Sequence, residues 1–499
     1  MNLSTITEKL RSTPLILSLA FAVTAVSVSF SFHGLTAGFV ISSLNSLIVS
    51  HLPGWALTAG ILGMGDTAQT VGLGLSTGLI LTLYAGCAAL GFWLKRVVRN
   101  TSMSIVIPTV SVWMIETWLT GNVRIAIYSG VAGGCVLLIT HIVGVQRPAR
   151  YLPEGIELSD RRRVLAGVAT AAVGLVWGVS TGRDRRLTLS LEDVDESTAT
   201  DARNTAAEIN NNYSLDVDGL DPLISASFFE VDINSANPAV DADQYSLTVT
   251  DKQATSSETY SYQELLAHPS ETVPLTLRCV GESRNGQKMD TAVWSAIALP
   301  NLIDFESHSD TCCVRVTAAD GYYQEFPLSA LETGYLAYGM NGEILPRAHG
   351  HPFRLLVPGH WGEINVKWIT GIEIRDEETT GYWEERGWHG TGPVNTVAKI
   401  HVVNQDDNSV EVAGHAYAGT RGVGSVEVST NGGDTWNIAT LSERLPGDDV
   451  WRQWVYRFEK TGTHEVVARV VEDDGTIQSA EETGPFPRGA SGYVTIEIS

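Results

Sequence analysis

The sequence predicts a multi-domain protein with three parts: an N-terminal bundle of transmembrane α-helices, a middle α+β domain and a C-terminal β-sandwich. Composition is the first observation behind this fold class. Of the 499 residues, 44% are hydrophobic and 18% are charged, which excludes disordered, collagenous and small disulfide-rich proteins. The second observation is an uneven charge distribution. Residues 1–182 hold 11 Lys and Arg against 6 Asp and Glu, whereas residues 183–499 hold 22 against 50, a net charge of −28.

Residues 1–182 are predicted to form a membrane domain with about five transmembrane helices. A spanning helix needs about 20 mostly apolar residues. One predicted span carries Glu116, which would act as a proton relay, face the bundle interior or reach towards the membrane surface. The apolar stretch Ser42–Leu57 is broken by polar residues and Pro53, so it forms an external loop, an interfacial helix or a sixth span. The five predicted spans are Pro14–Phe32, Val71–Leu94, Met103–Leu119, Ile125–Val145 and Val164–Val179.

Basic residues between the predicted spans orient this domain. Lys and Arg near span ends tend to stay in the cytoplasm. Clusters before the first span, after the second and before the fifth obey this rule if the N-terminus is inside. The fifth span then places the C-terminal part on the extracellular face of the cell membrane, although Arg183, Arg185 and Arg186 fall on the unexpected side. Ser159–Leu165 resembles an internal twin-arginine (Tat) export signal, with ordinary cytoplasmic arginines as the alternative.

Few residues of the membrane domain are candidate metal ligands. His33, His51 and His141 lie near predicted span ends and could hold a haem, but no two share a helix at ligand spacing. Loop or interfacial positions are therefore favoured for these histidines. Cys87 and Cys135 lie within predicted spans and fit packing roles.

The acidic part of the chain indicates a halophilic protein. Only 7 of the 33 basic residues are Lys, and the acidic excess fits a surface built for very high salt. At about 1 M salt the Debye length is about 3 Å, so the self-repulsion of such a surface is screened. An acidic protein from ordinary salt is the alternative. A net charge of −28 argues against a nucleic-acid partner.

The pattern of strands and turns divides the acidic part into three segments: a polar linker at residues 183–225, a middle domain at 226–393 and a C-terminal domain at 394–499. In the middle domain, Tyr245–Thr250 and Leu275–Val280 alternate as strands do, and Ser261–His268 predicts a short helix capped by Ser261. Short strands with turn signals from Thr396 onward predict an immunoglobulin-like β-sandwich. Its predicted strands are Val410–Ala416, Gly424–Thr430, Trp451–Phe458, His464–Val471 and Tyr493–Ile498.

Cys279 is the strongest candidate for a metal ligand. It ends the alternating strand Val273–Val280 and opens a polar loop, where a thiolate near Arg284 would have a lowered pKa and could bind one soft metal centre. A buried structural cysteine is the alternative. Cys312 and Cys313 are adjacent on a predicted strand, so their side chains should point to opposite faces and serve structural roles.

Residues 279–388 resemble the molybdenum-cofactor domain of the sulfite oxidase family. The pattern begins with Cys279 and Arg284, and Trp294–Leu302 resembles the family's next helix. Its strongest part runs from Leu336 through Met340-Asn341-Gly342 to Gly350, and continues to Trp368. The Gly-Gly-x-Thr-Trp segment at residues 432–436 is typical of the family's C-terminal, dimerisation-type domain. The resemblance covers about residues 220–499 and does not include the predicted spans. It identifies the chain as similar to a haloarchaeal-type, membrane-anchored member.

The resemblance implies a molybdenum cofactor (Mo-molybdopterin) and a role for each matching residue. Cys279 would supply the protein's sulfur ligand to molybdenum. Tyr338 would donate a hydrogen bond near the exchangeable oxygen, and Arg284 would orient an oxyanion. His349, Arg354 and Lys367 would hold the pterin and its phosphate or buttress that pocket, and a surface ion pair or a structural hydrogen bond is the alternative for each.

Three functions are compatible with these residues. The first is oxygen-atom transfer on a small sulfur compound such as sulfite, with electrons passed to an external cupredoxin, cytochrome or membrane partner. The second is reduction of S- or N-oxides, including methionine sulfoxide, which Glu230 and Glu282 favour because a neutral substrate needs no arginine cluster. The third is a non-enzymatic surface protein with a degenerate cofactor site. By analogy with the family, a homodimer is expected.

Overall fold

The computed structural model describes residues 3–65, 67–145, 158–183, 196–251 and 257–499. These residues separate into two compact units. The helical unit consists of Met1–Leu52, Gly63–Thr188 and Asp232–Ala239, and the β-rich unit of Pro53–Leu62, Leu189–Val231 and Val240–Ser499.

The described residues of the N-terminal region form helices joined by turns. Among these residues, five helices are long and apolar enough to cross a membrane, and they coincide with the five predicted spans. The stretch Ser42–Leu57, predicted as an external loop, an interfacial helix or a sixth span, lies in a pair of helices, α2 and α3, bent by 116° at a short break, and a broken sixth span stays compatible with this pair. The helices are α1 Leu3–His33, α2 Val40–His51, α3 Gly54–Met64, α4 Thr67–Val98, α5 Met103–Thr120, α6 Val123–Val145 and α7 Leu158–Arg183.

Glu116 faces the interior of the helical unit. Its side chain is fully buried, and it accepts hydrogen bonds from the Tyr84 hydroxyl at 3.3 Å and the Ser129 hydroxyl at 3.0 Å. A charge that reaches towards the membrane surface is therefore not what the structure shows. Of the basic residues that orient the predicted topology, Arg147 and Arg150 lie outside the described residues. The twin-arginine signal falls partly outside the described side chains and stays a prediction, as does the orientation of the spans.

Part of the predicted polar linker is folded. Residues 184–195 lie outside the described residues, but Glu196–Asn212 forms helix α8. Ala202 and Ile209 on this helix are buried, as are Leu223 and Ile224 after it, and all four join the core of the β-rich unit. A polar helix packs here because small Ala side chains allow close approach along one face. Residues 196–225 thus behave as part of the globular unit and not as a free tether.

The middle domain contains two five-stranded sheets. One has the order β2-β1-β10-β5-β6, and the other has the order β3-β4-β7-β8 with β9 paired to β7. The predicted short helix is present as α9, Tyr262–Leu266, and Ser261 caps it as predicted. The helix content of the domain is nevertheless lower than the predicted α+β class suggests, because most other elements are strands or single turns. The strands are β1 Ser246–Thr250, β2 Ser257–Ser261, β3 Glu271–Arg278, β4 Met289–Ala298, β5 Cys313–Ala318, β6 Tyr323–Pro327, β7 Tyr335–Met340, β8 Glu343–Ile344, β9 Arg354–Leu356 and β10 Ile369–Arg375.

Two predictions for the middle domain are wrong. Trp294 and the apolar residues after it form strand β4 and a short turn, not a helix. Because β4 lies between β3 and β7 and is buried on both faces, its sequence lacks the alternation that marks a strand. Cys312 and Cys313 are joined by a disulfide bond and do not point to opposite faces.

The C-terminal domain consists of two antiparallel sheets around a shared core. Strands from both sheets contribute to this core, including Val412, Val426, Trp454 and Val470. All five strands predicted here are present within one or two residues, while the immunoglobulin-like topology stays a prediction. The strands are β11 Val397–Ala398, β12 Val402–Gln405, β13 Ser409–Tyr417, β14 Val423–Ser429, β15 Asn437–Ile438, β16 Thr440–Leu441, β17 Arg452–Glu459, β18 His464–Glu472 and β19 Val494–Ile498.

Candidate functional site

Cys279 directly follows β3, where the chain leaves the sheet. Its backbone N–H donates to the Lys288 carbonyl at 2.9 Å, which closes the loop that we call the cysteine loop, Cys279–Lys288. Burial raises the pKa of the Cys279 thiol to about 11, and the charges of Glu282 and Glu363 add to this effect while Lys288 opposes it. The predicted lowering of this pKa by Arg284 is therefore wrong for the protein without metal. A bound metal cation reverses the preference, because a coordinating thiol is deprotonated.

Trp388 borders Cys279, and the sequence did not identify it. The indole carbon Cη2 of Trp388 and the Sγ atom of Cys279 would each lie 3.8 Å from a Cβ atom on Gly281. The Trp388 side chain is 2% exposed and packs edge-to-face on Phe486 at 5.2 Å. Trp388 thus packs against Gly281, two residues after Cys279. Since 109 residues separate it from Cys279, no local pattern in the sequence connects the two.

Tyr338 does not lie beside Cys279. On central strand β4, Met289 pairs with Arg278, whereas Ser295 and Ala296 pair with the residues that flank Tyr338. Met289 and Ser295 are six residues apart on β4, which at about 3.3 Å per residue corresponds to about 20 Å along an extended strand. The Tyr338 ring is 4% exposed and packs edge-to-face on Phe353 at 5.9 Å. The strand register therefore does not bring Tyr338 together with Cys279, and the role of Tyr338 at a metal stays a prediction.

Arg284 is directed towards the C-terminal domain. One of its guanidinium nitrogens lies 2.6 Å from the Glu482 carboxylate and donates to the Tyr493 carbonyl at 3.2 Å. This pairing lowers the pKa of the Glu482 carboxyl. The charge of Lys288 lowers the pKa of the Cys279 thiol, against the larger effect of burial. The structure gives Arg284 partners in the C-terminal domain.

Glu282 is buried and paired, so it does not face a substrate. Its carboxylate accepts hydrogen bonds from Arg278 Nε at 2.7 Å and from Lys399 Nζ at 2.8 Å, as well as from the Lys288 backbone N–H. The Arg278 and Lys399 side chains are fully buried and that of Glu282 is 2% exposed. Burial alone would raise the pKa of Glu282, but the two cations outweigh it and lower the pKa. Glu282 therefore gives no support to a neutral substrate.

His349, Arg354 and Lys367, which the sequence grouped by resemblance alone, lie together in the structure. Arg354 donates to the His349 carbonyl at 3.2 Å, and Lys367 Nζ donates to the Ala348 carbonyl at 2.9 Å. Burial lowers the pKa of His349 to about 4, and the charges of Arg354 and Lys367 lower it further. Gly350 makes this proximity possible, because a Cβ there would lie 2.9 Å from Arg354 Cβ and 3.2 Å from Lys367 Cα.

A single segment connects this cationic cluster with Cys279. At one end, a Cβ on Gly362 would lie 3.9 Å from the Cys279 Cα atom. Three residues later the Asn365 carbonyl accepts a hydrogen bond from Arg354 at 3.1 Å, and Lys367 follows. The site therefore offers a soft sulfur donor at one end and positive charge at the other. An elongated group with a metal-binding end and an anionic end, such as a pterin cofactor with a phosphate, fits this donor set.

Comparison with known proteins supports this interpretation. Residues 234–383 match the model of the oxidoreductase molybdopterin binding domain, and residues 393–481 match the Mo-co oxidoreductase dimerisation domain. The chain is 25% identical to mitochondrial sulfite oxidase of Rattus norvegicus over 358 residues, which is 59% of this chain and 65% of the relative. It is 28% identical to the Homo sapiens mitochondrial enzyme over 297 residues, 48% of this chain and 54% of the relative. It is 31% identical to sulfite oxidase of Arabidopsis thaliana over 180 residues, which is 29% of this chain and 44% of the relative.

The chain is therefore similar to sulfite oxidases, and its residues 234–383 match a domain that binds the molybdenum cofactor in oxidoreductases. The chain spans between about half and two thirds of the length of the two mitochondrial relatives. The family model matched by residues 393–481 is described as a dimerisation domain.

Proposed function

We propose that this protein is a membrane-anchored, molybdenum-cofactor oxidoreductase that transfers an oxygen atom on a small sulfur compound such as sulfite. The observation that carries the proposal is the connection of Cys279, through Gly362–Lys367, to the cluster of His349, Arg354 and Lys367. This arrangement supplies one thiolate ligand and an anion-binding end within one folded unit. The five long apolar helices support a membrane anchor, and the distribution of basic residues supports a catalytic domain on the extracellular face.

The residues of the chain bind, orient and exclude water. Cys279 would hold the metal through its deprotonated sulfur, and the bound cofactor would supply two-electron oxygen-atom transfer. Arg354 and Lys367 would bind the phosphate, with the Lys ammonium acting as a point charge. Neutral His349 can donate or accept a hydrogen bond at the pterin without adding a third charge. Trp388 would exclude water on one side of the sulfur, and Lys288 would attract an anionic substrate.

Electrons must leave to another carrier. The proposed acceptor is an external cupredoxin, a cytochrome or a membrane partner. A homodimer formed through the C-terminal domain is part of the proposal. High salt is the proposed working environment because of the acidic surface.

One observation favours reduction of a neutral S- or N-oxide as a second candidate. Arg284 is paired with Glu482, so the oxyanion ligand that the resemblance implies is directed elsewhere. Lys288 is then a cation acting on the thiol, and a single lysine binds a dianion less strongly than a cluster of arginines.

A paired assay on one preparation separates these two candidates. Purified protein in high salt should reduce an artificial electron acceptor when sulfite is added. The reductase alternative instead predicts oxidation of a reduced dye when methionine sulfoxide is added. Metal analysis of the same preparation should find about one molybdenum per chain; absence of molybdenum from active protein would reject both candidates.

A further inference from the structure

The C-terminal domain holds the cysteine loop through a buried ion pair. Glu282, three residues after Cys279, is bound by Lys399 at 2.8 Å, and Lys399 Nζ also donates to the Gly286 carbonyl of the same loop at 2.9 Å. Lys399 follows strand β11 in the C-terminal domain. A residue from the second domain therefore contacts the loop at two points.

The backbone of Lys399 is itself fixed. Its N–H donates to the His415 carbonyl at 2.8 Å, and its carbonyl accepts from Trp454 Nε1 at 3.1 Å. Both His415 and Trp454 belong to the core strands of the C-terminal domain and are at most 1% exposed. The ammonium group is thus delivered to the cysteine loop from a rigid support.

Further contacts connect the loop with the same domain. Asn285 Nδ2 donates to the Ile400 carbonyl at 2.8 Å, and the Ile400 N–H donates to Asn285 Oδ1 at 2.8 Å. This reciprocal pair replaces the hydrogen bonds that a strand neighbour would make. Arg284 adds its contacts with Glu482 and the Tyr493 carbonyl. Hydrogen bonds at residues 282, 284, 285 and 286 therefore secure most of the loop that begins with Cys279.

The ion pair at Glu282 is the energetically sensitive contact. Removal of one partner of a buried pair leaves an uncompensated charge in a low-dielectric environment, which is strongly destabilising. Without Lys399, Glu282 keeps Arg278, which lies in the strand before the loop, and the backbone N–H of Lys288 within the loop. The loop would then lose the contacts that Lys399 of the second domain makes with Glu282 and Gly286.

We propose that Lys399 is a positioning residue for Cys279, so that the C-terminal domain completes the cofactor site as well as supplying a dimer interface. The proposal rests on the proposed function, because it assigns Cys279 as the molybdenum ligand. Lys399 acts through Glu282 and the cysteine loop and touches neither substrate nor cofactor. The positioning role concerns the direction and accessibility of the thiol, which can be measured without turnover.

The test measures alkylation of Cys279 in full-length, cofactor-free protein. Iodoacetamide labelling of Cys279 is followed by mass spectrometry for the wild type, for Lys399→Met, and for Lys460→Met as control. Lys460 is a half-buried lysine of the same domain, and its ammonium group donates to Gln405 Oε1 at 3.0 Å, away from the cysteine loop. We expect Lys399→Met to raise the labelling rate about tenfold, which corresponds to about 1.4 kcal/mol of easier loop opening, and Lys460→Met to leave it unchanged. An unchanged rate in Lys399→Met with a native circular dichroism spectrum would overturn the proposal, as would an equal rise in both variants.

A milder variant covers the case in which Lys399→Met does not fold. Asn285→Ala removes the reciprocal bonds with Ile400 but leaves the buried charges paired, and it should raise labelling of Cys279 several-fold; no rise would overturn the proposal. In cofactor-loaded protein, Lys399→Met should shift the g values of the Mo(V) electron paramagnetic resonance signal, which depend on the geometry of the sulfur ligand. A wild-type protein that contains no molybdenum would reject the proposed function, while the labelling rates would still decide whether Lys399 positions the thiol.

Discussion

Acidification should destabilise the β-rich unit through His415, a residue outside the candidate site. The ring is 1% exposed, stacks on Trp451 at a centroid distance of 4.0 Å and lies 3.1 Å from the Asp221 carbonyl through Nε2. Burial lowers the pKa of His415 to about 3, and the charges of His401 and Lys399 contribute further. The folded state therefore holds this imidazole in its neutral form.

The sign and size of the effect follow from proton linkage. Below pH 6.5 the unfolded chain binds a proton at this histidine that the folded chain cannot bind, so stability falls as the pH falls, down to the folded pKa of about 3. The loss approaches about 1.4 kcal/mol per pH unit well below pH 6.5 and amounts to about 2.7 kcal/mol between pH 7.5 and pH 4.5. His349 and His351, whose pKa values burial lowers to about 4, should add to the same trend.

Urea unfolding followed by tryptophan fluorescence, at constant molar salt, measures this loss. The wild type is compared with His415→Gln, whose amide can still donate to the Asp221 carbonyl but does not titrate. The variant should be less stable at pH 7.5, because it loses the stacking on Trp451, and the gap should narrow by about 2.7 kcal/mol as the pH falls to 4.5. If the free energies of unfolding of the two proteins instead change with pH in parallel, His415 binds no more protons in the unfolded state than in the folded state, and the prediction is wrong.

Three further predictions concern the proposed site and surface. Cys279→Ser should abolish sulfite-dependent dye reduction and leave the circular dichroism spectrum unchanged, since a serine oxygen is a poor replacement for a soft thiolate ligand; full retained activity would remove Cys279 as the ligand. Lys367→Ala should lower the molybdopterin content several-fold, measured as the fluorescent oxidised pterin released on denaturation, because the phosphate loses a cation; unchanged content would place the phosphate elsewhere. Raising the salt from about 0.1 M to about 1 M shortens the Debye length from about 10 Å to about 3 Å. This change should raise kcat/KM for anionic sulfite more than for a neutral sulfoxide. An equal response of kcat/KM for both substrates would argue against electrostatic control by the acidic surface.

Much of the framework could be predicted from local sequence. The five long apolar helices coincide with the predicted spans because hydropathy over about 20 residues depends on no distant partner. The exposed strands of the C-terminal domain were visible through their alternation. Strand β4 was mistaken for a helix because burial on both faces removes that alternation. The position of Tyr338 relative to Cys279 could not be predicted either, because it depends on the register of β3, β4 and β7.

The candidate site shows the same division. Cys279 was recognisable at the end of its strand, and His349, Arg354 and Lys367 were recognisable through the family pattern. Trp388 and Lys288 were missed, since neither carries a local signal for a position beside the thiol. Glu282 was interpreted as a sign of a neutral substrate because its partner Lys399 lies 117 residues away.

The sequence by itself determined the properties that add up locally: an apolar, basic first part, an acidic second part, and a cysteine where a strand ends. Only the tertiary structure decided which charges meet. It paired Glu282 with Lys399 and Arg278, directed Arg284 to Glu482, and placed Trp388 beside Cys279. The physical reason is that hydropathy and strand alternation depend on neighbours in the chain, whereas a buried ion pair or a ring contact depends on the register and packing of strands that are distant in sequence.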